Sequence, residues 1–251
     1  MHATELAESV ALREFGLASS GRTRATVVAG AVCLAVPEAD SPMVNHVLGL
    51  SAGATDEDLD AIASFYGGIR HAIAVHPDEV ALEARLQERG YEPGYAWMKF
   101  GRGVEPPAEH RGEVQVVEAG RADAESFGAI VAESYGMPGS SADLIAAVVG
   151  RPAFHCFLAR DHDRPIGAAT LVVAAASGWC GFAGTLPAAR GRGAQNALLA
   201  ARVRRAAELQ CRDVYTETGE RVEGRPEASY RNILRSGFGE LYLRPNWVSP
   251  G

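Results

Sequence analysis

The sequence predicts an α+β protein of two tandem units, each a mixed, mostly antiparallel sheet flanked by helices. Three observations support this. Apolar runs of strand length alternate with helix-periodic stretches along the whole chain. The segment Glu105-Pro106-Pro107-Ala108-Glu109-His110-Arg111 reads as part of a linker at 104–112, dividing residues 1–103 from 113–251. Each half also ends a helix the same way, with Gly90-Tyr91 in one and Gly237-Phe238 in the other, and a strand follows. The glycine supplies a left-handed cap, and the aromatic can pack back on the helix.

Taken in order, the first half reads as a helix at 4–15, strands at 26–35 and 44–48, and a helix at 56–65. A strand at 71–75, a helix at 77–89 and a strand at 95–100 follow. The second half reads as a strand at 114–118 and helices at 122–135 and 141–149. Next comes a hairpin, 154–160 with 167–174, whose turn carries Asp161-His162-Asp163-Arg164-Pro165. A strand at 178–186 leads into a helix at 193–210, in which Leu199, Val203, Ala206 and Leu209 recur at helical spacing. Arg202, Arg204, Arg205 and Glu208 fall mostly elsewhere on that helix. A strand at 214–218, a helix at 227–236 and a strand at 241–247 complete the unit. The sheet is antiparallel at first, with a helical crossover after its fourth strand.

Composition narrows the function. With 251 residues and 47% apolar content, the chain can bury one large core or two modest ones. A net charge of -7 argues against a sequence-independent nucleic-acid binder, whose affinity comes from lysine and arginine contacts to phosphate. No apolar run reaches bilayer-spanning length and no signal-peptide pattern opens the chain, so a cytoplasmic protein without a membrane partner is expected. Lys99 stands alone against many arginines, a bias typical of high-GC bacterial genomes. Cys33, Cys156, Cys180 and Cys211 share no close spacing, so neither disulfides nor a Cys-x-x-Cys metal pair is expected. Asp161-His162-Asp163 reads as an exposed turn, and no metal is expected.

Chemistry concentrates in Arg190-Gly191-Arg192-Gly193-Ala194-Gln195, between a strand and a helix that begins near Asn196. A glycine-rich turn feeding a helix leaves backbone N–H groups without intrahelical partners, all aimed at one spot. The glycines let that backbone close on a bulky anion, and Arg190 and Arg192 supply charge. The turn suits phosphate, with an ordinary N-cap on a basic loop as the alternative. Its spacing excludes a P-loop, which ends Gly-Lys-Ser/Thr, and a dinucleotide turn, which needs a third glycine. Gly101-Arg102-Gly103 runs into Val104-Glu105-Pro106-Pro107 and reads as linker instead.

This turn resembles that of the GNAT superfamily of acyl-CoA-dependent N-acyltransferases. The family pattern, Arg/Gln-x-x-Gly-x-Gly/Ala, is met at Arg190 and Gly193, while Gln195 departs at the last position. Residues 182–187 resemble the family's fourth strand and 213–218 its fifth. Residues 229–238 resemble the helix leading into its Gly-Phe pair. The likeness spans 113–251, with the segments in family order. Residues 1–103 then read as a degenerate copy, because Ser51-Ala52-Gly53-Ala54-Thr55-Asp56 carries no basic residue and implies no CoA there.

The resemblance implies an N-acetyltransferase that moves an acetyl group from acetyl-CoA, as co-substrate, to a small primary amine by direct attack on the thioester. Gly184, Thr185 and Leu186 would offer backbone groups to the pantetheine, with an amide near Leu186 serving the oxyanion. Arg190, Gly191, Arg192, Gly193, Ala194, Gln195 and Asn196 would take the pyrophosphate. Glu217 is the carboxylate best placed as general base, ahead of Glu220 and Glu227, with a solvated strand-end residue as the competing reading. Ile233 occupies the position of the family's proton-donating tyrosine. Tyr230, one turn earlier, is the substitute candidate, and packing explains it equally well. A non-catalytic CoA- or amine-binding protein is the rival, and a homodimer is compatible with the sequence.

Overall fold

The computed structural model describes residues 1–19, 21–39, 41–107, 114–224 and 227–250, so residues 108–112 of the expected linker lie outside the described residues. The chain condenses into two compact units. One comprises Met1–Lys99, Thr218–Val222 and Leu241–Gly251, and the other comprises Phe100–Glu217 and Glu223–Glu240.

In the first unit a 3-10 turn leads into α1 (Leu6–Gly16). Then β1 (Arg24–Val28) and β2 (Ala31–Ala35) form a hairpin where the periodicity suggests a single strand at 26–35. The intervening Ala29 and Gly30 have φ of 48° and 80°, the two positive values of a type I′ turn. Alanine rarely adopts that conformation, so the turn carries no sequence signal at its first position. β3 (His46–Leu48) pairs antiparallel with β2 and parallel with β4 (Ala72–Ala74), across α2 (Asp56–Tyr66). Then come α3 (Val80–Glu88) and β5 (Glu92–Gly103, of which the residues to Lys99 belong to this unit), so Gly101-Arg102-Gly103 is strand and not linker. The far end of the chain completes this sheet. β11 (Gly239–Val248) pairs antiparallel with β4 through Asn246↔Ala74, Trp247↔Ile73 and Val248↔Ala72. Trp247 shares a buried cluster with Ile62, Ile73 and Leu82.

The second unit runs β6 (Gln115–Glu118), α4 (Ala124–Ser134), α5 (Ser140–Ala146), β7 (Phe154–Asp161), β8 (Arg164–Ala174) and β9 (Ser177–Thr185). It continues with α6 (Ala194–Glu208), β10 (Asp213–Gly219, of which the residues to Glu217 belong to this unit) and α7 (Ala228–Arg235). β6 to β9 form an antiparallel meander, and β10 joins β9 in parallel after the α6 crossover. The expected Gly-aromatic helix ends are present in both units. Gly90 and Gly237 have φ of 81° and 82°, while Tyr91 N–H reaches Leu86 C=O at 3.0 Å and Phe238 N–H reaches Ile233 C=O at 3.4 Å. All four cysteines are free and buried.

The first unit also buries charge. Glu5, Glu8, Lys99 and Arg244 are each at most 1% exposed. Lys99 Nζ donates to Glu8 Oε2 at 2.6 Å, and Arg244 donates to both Glu8 oxygens (2.8 and 2.9 Å) and to Glu5 Oε1 (3.0 Å). Burial alone would raise the Glu8 pKa, but Arg244 and Lys99 outweigh it and hold the carboxyl well below the usual range. Burial likewise pushes His46 down to about 4. Both groups therefore bind protons less readily when folded, so their stabilising effect is complete above the unfolded pKa values and fades as pH falls through them. Two outcomes follow. Glu8→Ala, which leaves two cations buried without that partner, is expected to cost about 3–5 kcal/mol in denaturant unfolding. The wild-type melting temperature is expected to fall progressively as pH drops from about 6.5 towards 4.

Candidate functional site

The parallel ladder between β9 and β10 is short. It runs from Ser177↔Asp213 to Cys180↔Thr216 and stops, although β9 continues to Thr185. On its other edge β9 stays paired with β8 as far as Thr185↔Gly167. The stretch from Gly181 to Thr185 thus turns one backbone edge towards the gap left by β10. A β-bulge marks where the strands part: Gly181 faces Thr170 and Gly184 faces Ala168, so Phe182 and Ala183 both oppose Ala169. Phe182 takes a φ of 42°, and Trp179 and Phe154 flank its ring at 6.0 and 6.2 Å. Gly184 is glycine for space, since a Cβ there would fall 1.7 Å from Ser134 Oγ.

Beyond β9 the chain makes the expected turn. Leu186 N–H donates to Ile166 C=O at 2.9 Å, so that amide is engaged and the oxyanion role suggested for it does not hold. A 3-10 turn over Pro187–Ala189 leads to Gly191 and Gly193, with φ of 83° and 86°. Gly193 caps α6 in the left-handed region. The helix has no side-chain cap and no acid in its first turn. Its first hydrogen bond runs from Ala197 N–H to Gly193 C=O at 3.0 Å, so the amides of Ala194, Gln195 and Asn196 precede the ladder. Asn196 Oδ1 is buried with no partner among the described residues.

Side chains organise this turn. Gln195 Nε2 donates to Thr185 Oγ1 at 2.9 Å, joining the turn to the end of β9. Arg190 Nη2 donates to Ser134 C=O at 3.3 Å, and Arg192 Nη1 to Asp161 Oδ2 at 2.6 Å. His162 first and Arg192 with it hold the Asp161 carboxyl below its usual range. Half of the charge expected from the two arginines is therefore already paired.

Glu217 is half-buried and is the first β10 residue past the last ladder pair. Close to it lies Tyr135, directly after α4, whose Oη donates to Ala183 C=O at 3.1 Å. The Tyr135 residue is 56% exposed, with its hydroxyl bonded back to the β9 backbone. Burial pushes that hydroxyl's pKa up, Arg202 pulls it back, and Glu217 adds to the rise. Arg202 itself is only 1% exposed, contrary to its expected place on the polar face of α6. Its guanidinium donates to Leu198 C=O (3.1 Å) and Thr170 C=O (3.3 Å), and no carboxylate pairs with it among the described residues. Nothing in the sequence singled out Tyr135, Ser134 or Arg202, because their roles arise only where α4, β8, β9 and α6 meet.

No protein-family model matches the chain, and no curated protein matches it. Solved structures do. A GCN5-related N-acetyltransferase from Kribbella flavida is similar over 98% of this chain and 96% of its own, with a TM-score of 0.66 and 16% identity. One from Sphaerobacter thermophilus covers 88% of this chain and 81% of its own, with a TM-score of 0.63 and 16% identity. A tandem GNAT protein from the clavulanic acid biosynthesis pathway covers 93% and 86%, with a TM-score of 0.62 and 15% identity. This is the GNAT fold. At these identities the likeness concerns backbone architecture alone.

Within the GNAT fold, α2 stands in the first unit where α6 stands in the second, and its amino terminus differs. Thr55 accepts from Asp58 N–H, Asp58 accepts from Thr55 N–H, and Asp56, Glu57 and Asp58 crowd the first turn. Glu79 takes the Ala52 amide at 2.6 Å. That terminus is capped by carboxylates and repels an anion. Tyr230, the other catalytic candidate, is 4% exposed, donates to Glu240 Oε1 at 2.6 Å and lies edge-on to Phe100. A proton-donor role would first require that hydroxyl to leave a carboxylate. Elsewhere His2, His76 and Asp78 bring ligand atoms within 4.8 Å of one another. Their imidazoles stack 3.5 Å apart with planes 7° from parallel, and His76 Nδ1 already accepts Asp78 N–H at 3.2 Å. An ion about 2 Å from both rings would lie well outside each plane, so we assign no metal there.

The geometry ranks two substitutions. Gly193→Val forces a β-branched residue into φ 86° and distorts the amide cradle, whereas Arg192→Ala removes a charge already matched by Asp161. By calorimetry, Gly193→Val is expected to weaken acetyl-CoA binding by roughly tenfold or more, and Arg192→Ala by about fivefold or less. Equal losses would refute the ranking.

Proposed function

We propose that the second unit is an N-acetyltransferase that moves the acetyl group of acetyl-CoA to a small primary amine. One observation carries this reading: the uncapped, acid-free amino terminus of α6 lies at the end of a strand whose neighbour has parted from it. An anionic tail at Gly191–Asn196 then has an open backbone edge, Gly181–Thr185, along which an extended acyl-bearing chain can lie as an added strand. Arg190 and the amides of Ala194, Gln195 and Asn196 hold the pyrophosphate, and Gly184, Thr185 and Leu186 flank the arm. Each charge-assisted bond to phosphate contributes about 1.5–3 kcal/mol, against about 0.3–2 from the helix dipole, so the amide cradle dominates.

The acceptor must be neutral to attack. An alkyl amine of pKa about 10.4 is only about one part in a thousand neutral at pH 7.4, a cost near 4 kcal/mol. Glu217, at the mouth of the gap, removes the proton directly or through water. The net acidity of the chain suits a cationic acceptor weakly, since overall charge says little about one pocket. The first unit, with its capped α2, binds no CoA on this reading and is a degenerate copy.

Calorimetry with acetyl-CoA, and thiol release in the presence of putrescine, tyramine and glycinamide, test the reading. Stoichiometric binding and amine-dependent release of CoA are expected. Glu217→Gln should lower kcat/KM by about a hundredfold or more at neutral pH while leaving acetyl-CoA affinity unchanged. Binding without release from any amine would favour a CoA-sensing protein. No binding would end the assignment.

A further inference from the structure

We propose that Tyr135 is a catalytic residue of this site and gives its hydroxyl proton to the sulfur that departs when the thioester opens. The inference rests on the acetyltransferase reading above and adds to it a residue that the sequence did not indicate.

A chain anchored by its phosphates at Gly191–Asn196 and lying back along β9 reaches the bulge at Phe182–Ala183, where the β10 ladder has ended. Tyr135 Oη already touches this spot, at 3.1 Å from the Ala183 carbonyl. An added strand would compete for that carbonyl and release the hydroxyl to whatever lies beside it. The hydroxyl is also held in place. Ser134, the residue before it, packs against Gly184 and has its carbonyl tied to Arg190 of the phosphate turn. Anchoring the anion and placing the phenol are therefore linked through one peptide.

The surroundings suit proton transfer. A phenol with an ordinary pKa of about 10 is protonated at neutral pH, so Tyr135 is a donor there. Arg202, buried behind β8 and β9 with no carboxylate partner among the described residues, provides the positive charge that a transient phenolate needs. Glu217 lies within electrostatic reach of the phenol, and on this proposal it returns the proton through water. The other candidates are poorly placed, since Ile233 has no proton to give and Tyr230 is bonded to Glu240.

The step balances. The amine lone pair forms the C–N bond, the C–S bond breaks, and its electron pair stays on sulfur. Sulfur takes the Tyr135 proton, Glu217 takes one from the nitrogen, and the phenolate recovers its proton from Glu217. The net change moves one proton from nitrogen to sulfur, with no co-reactant.

Tyr135→Phe removes one oxygen from a residue that is 56% exposed, so the variant should fold, and its melting curve checks this. The assay uses acetyl-CoA with whichever amine of the panel is turned over fastest. Tyr135→Phe is expected to lower kcat about ten- to a hundredfold, because a thiol of pKa about 8.5 leaves tolerably well unaided. Acetyl-CoA affinity should stay within about threefold, and the solvent deuterium isotope effect on kcat should fall towards unity. An unchanged kcat, a loss confined to KM, or a larger kcat loss in Tyr230→Phe overturns the inference while the acetyltransferase reading stands. Failure of the wild type to turn over any amine overturns both.

Discussion

Everything proposed for the second unit follows from four pairs of residues, Ser177–Cys180 against Asp213–Thr216, and from their having no successors. A longer ladder would saturate the β9 backbone on both edges and leave nothing for a ligand to join. The bulge gives the break a local cause, since an extra residue in β9 bends the strand and changes its twist. Holding Phe182 at positive φ costs about 1–3 kcal/mol, offset by packing among Trp179, Phe182 and Phe154. Strain and open edge coincide, as they often do where a backbone serves a ligand.

The two units show how one crossover can carry opposite chemistry. In both, a helix links parallel strands, β3 to β4 by α2 and β9 to β10 by α6. Thr55 and Asp58 satisfy the first helix internally, and three acids beside its amino terminus make it hostile to phosphate. Left-handed Gly193 starts the second helix with no side-chain cap among the described residues. A few side chains within one helical turn thus decide whether the fold offers an anion site, and the sheet behind them need not change.

The first unit invests in a buried ionic cluster. Glu5 and Glu8 come from the amino-terminal turn and α1, Lys99 from β5 and Arg244 from β11, so four charges sum to zero in a nearly dry setting. Such a set gains little over a well-packed apolar one but loses heavily if one member goes. It therefore ties the unit to a strand more than two hundred residues from α1 in sequence. Lys99, the sole lysine of the chain, is spent on this cluster.

Local features were legible in the residues. The helix-closing glycines at 90 and 237, the hairpin turn at His162, the α6 stripe of Leu199, Val203 and Ala206, and the glycine-rich turn that opens α6 all express short-range rules of backbone and periodicity. Tertiary contact alone decided the rest. Residues 246–248 joined β4 because ladder hydrogen bonds found a free edge there, and Arg202 turned inward because two carbonyls received it. Leu186 gave its amide to Ile166, and Tyr135 reached Ala183 from a helix forty-eight residues away. The physical reason is range: caps and turns are fixed within a few residues, whereas strand pairing and the partners of buried polar groups are chosen among distant segments when the core closes.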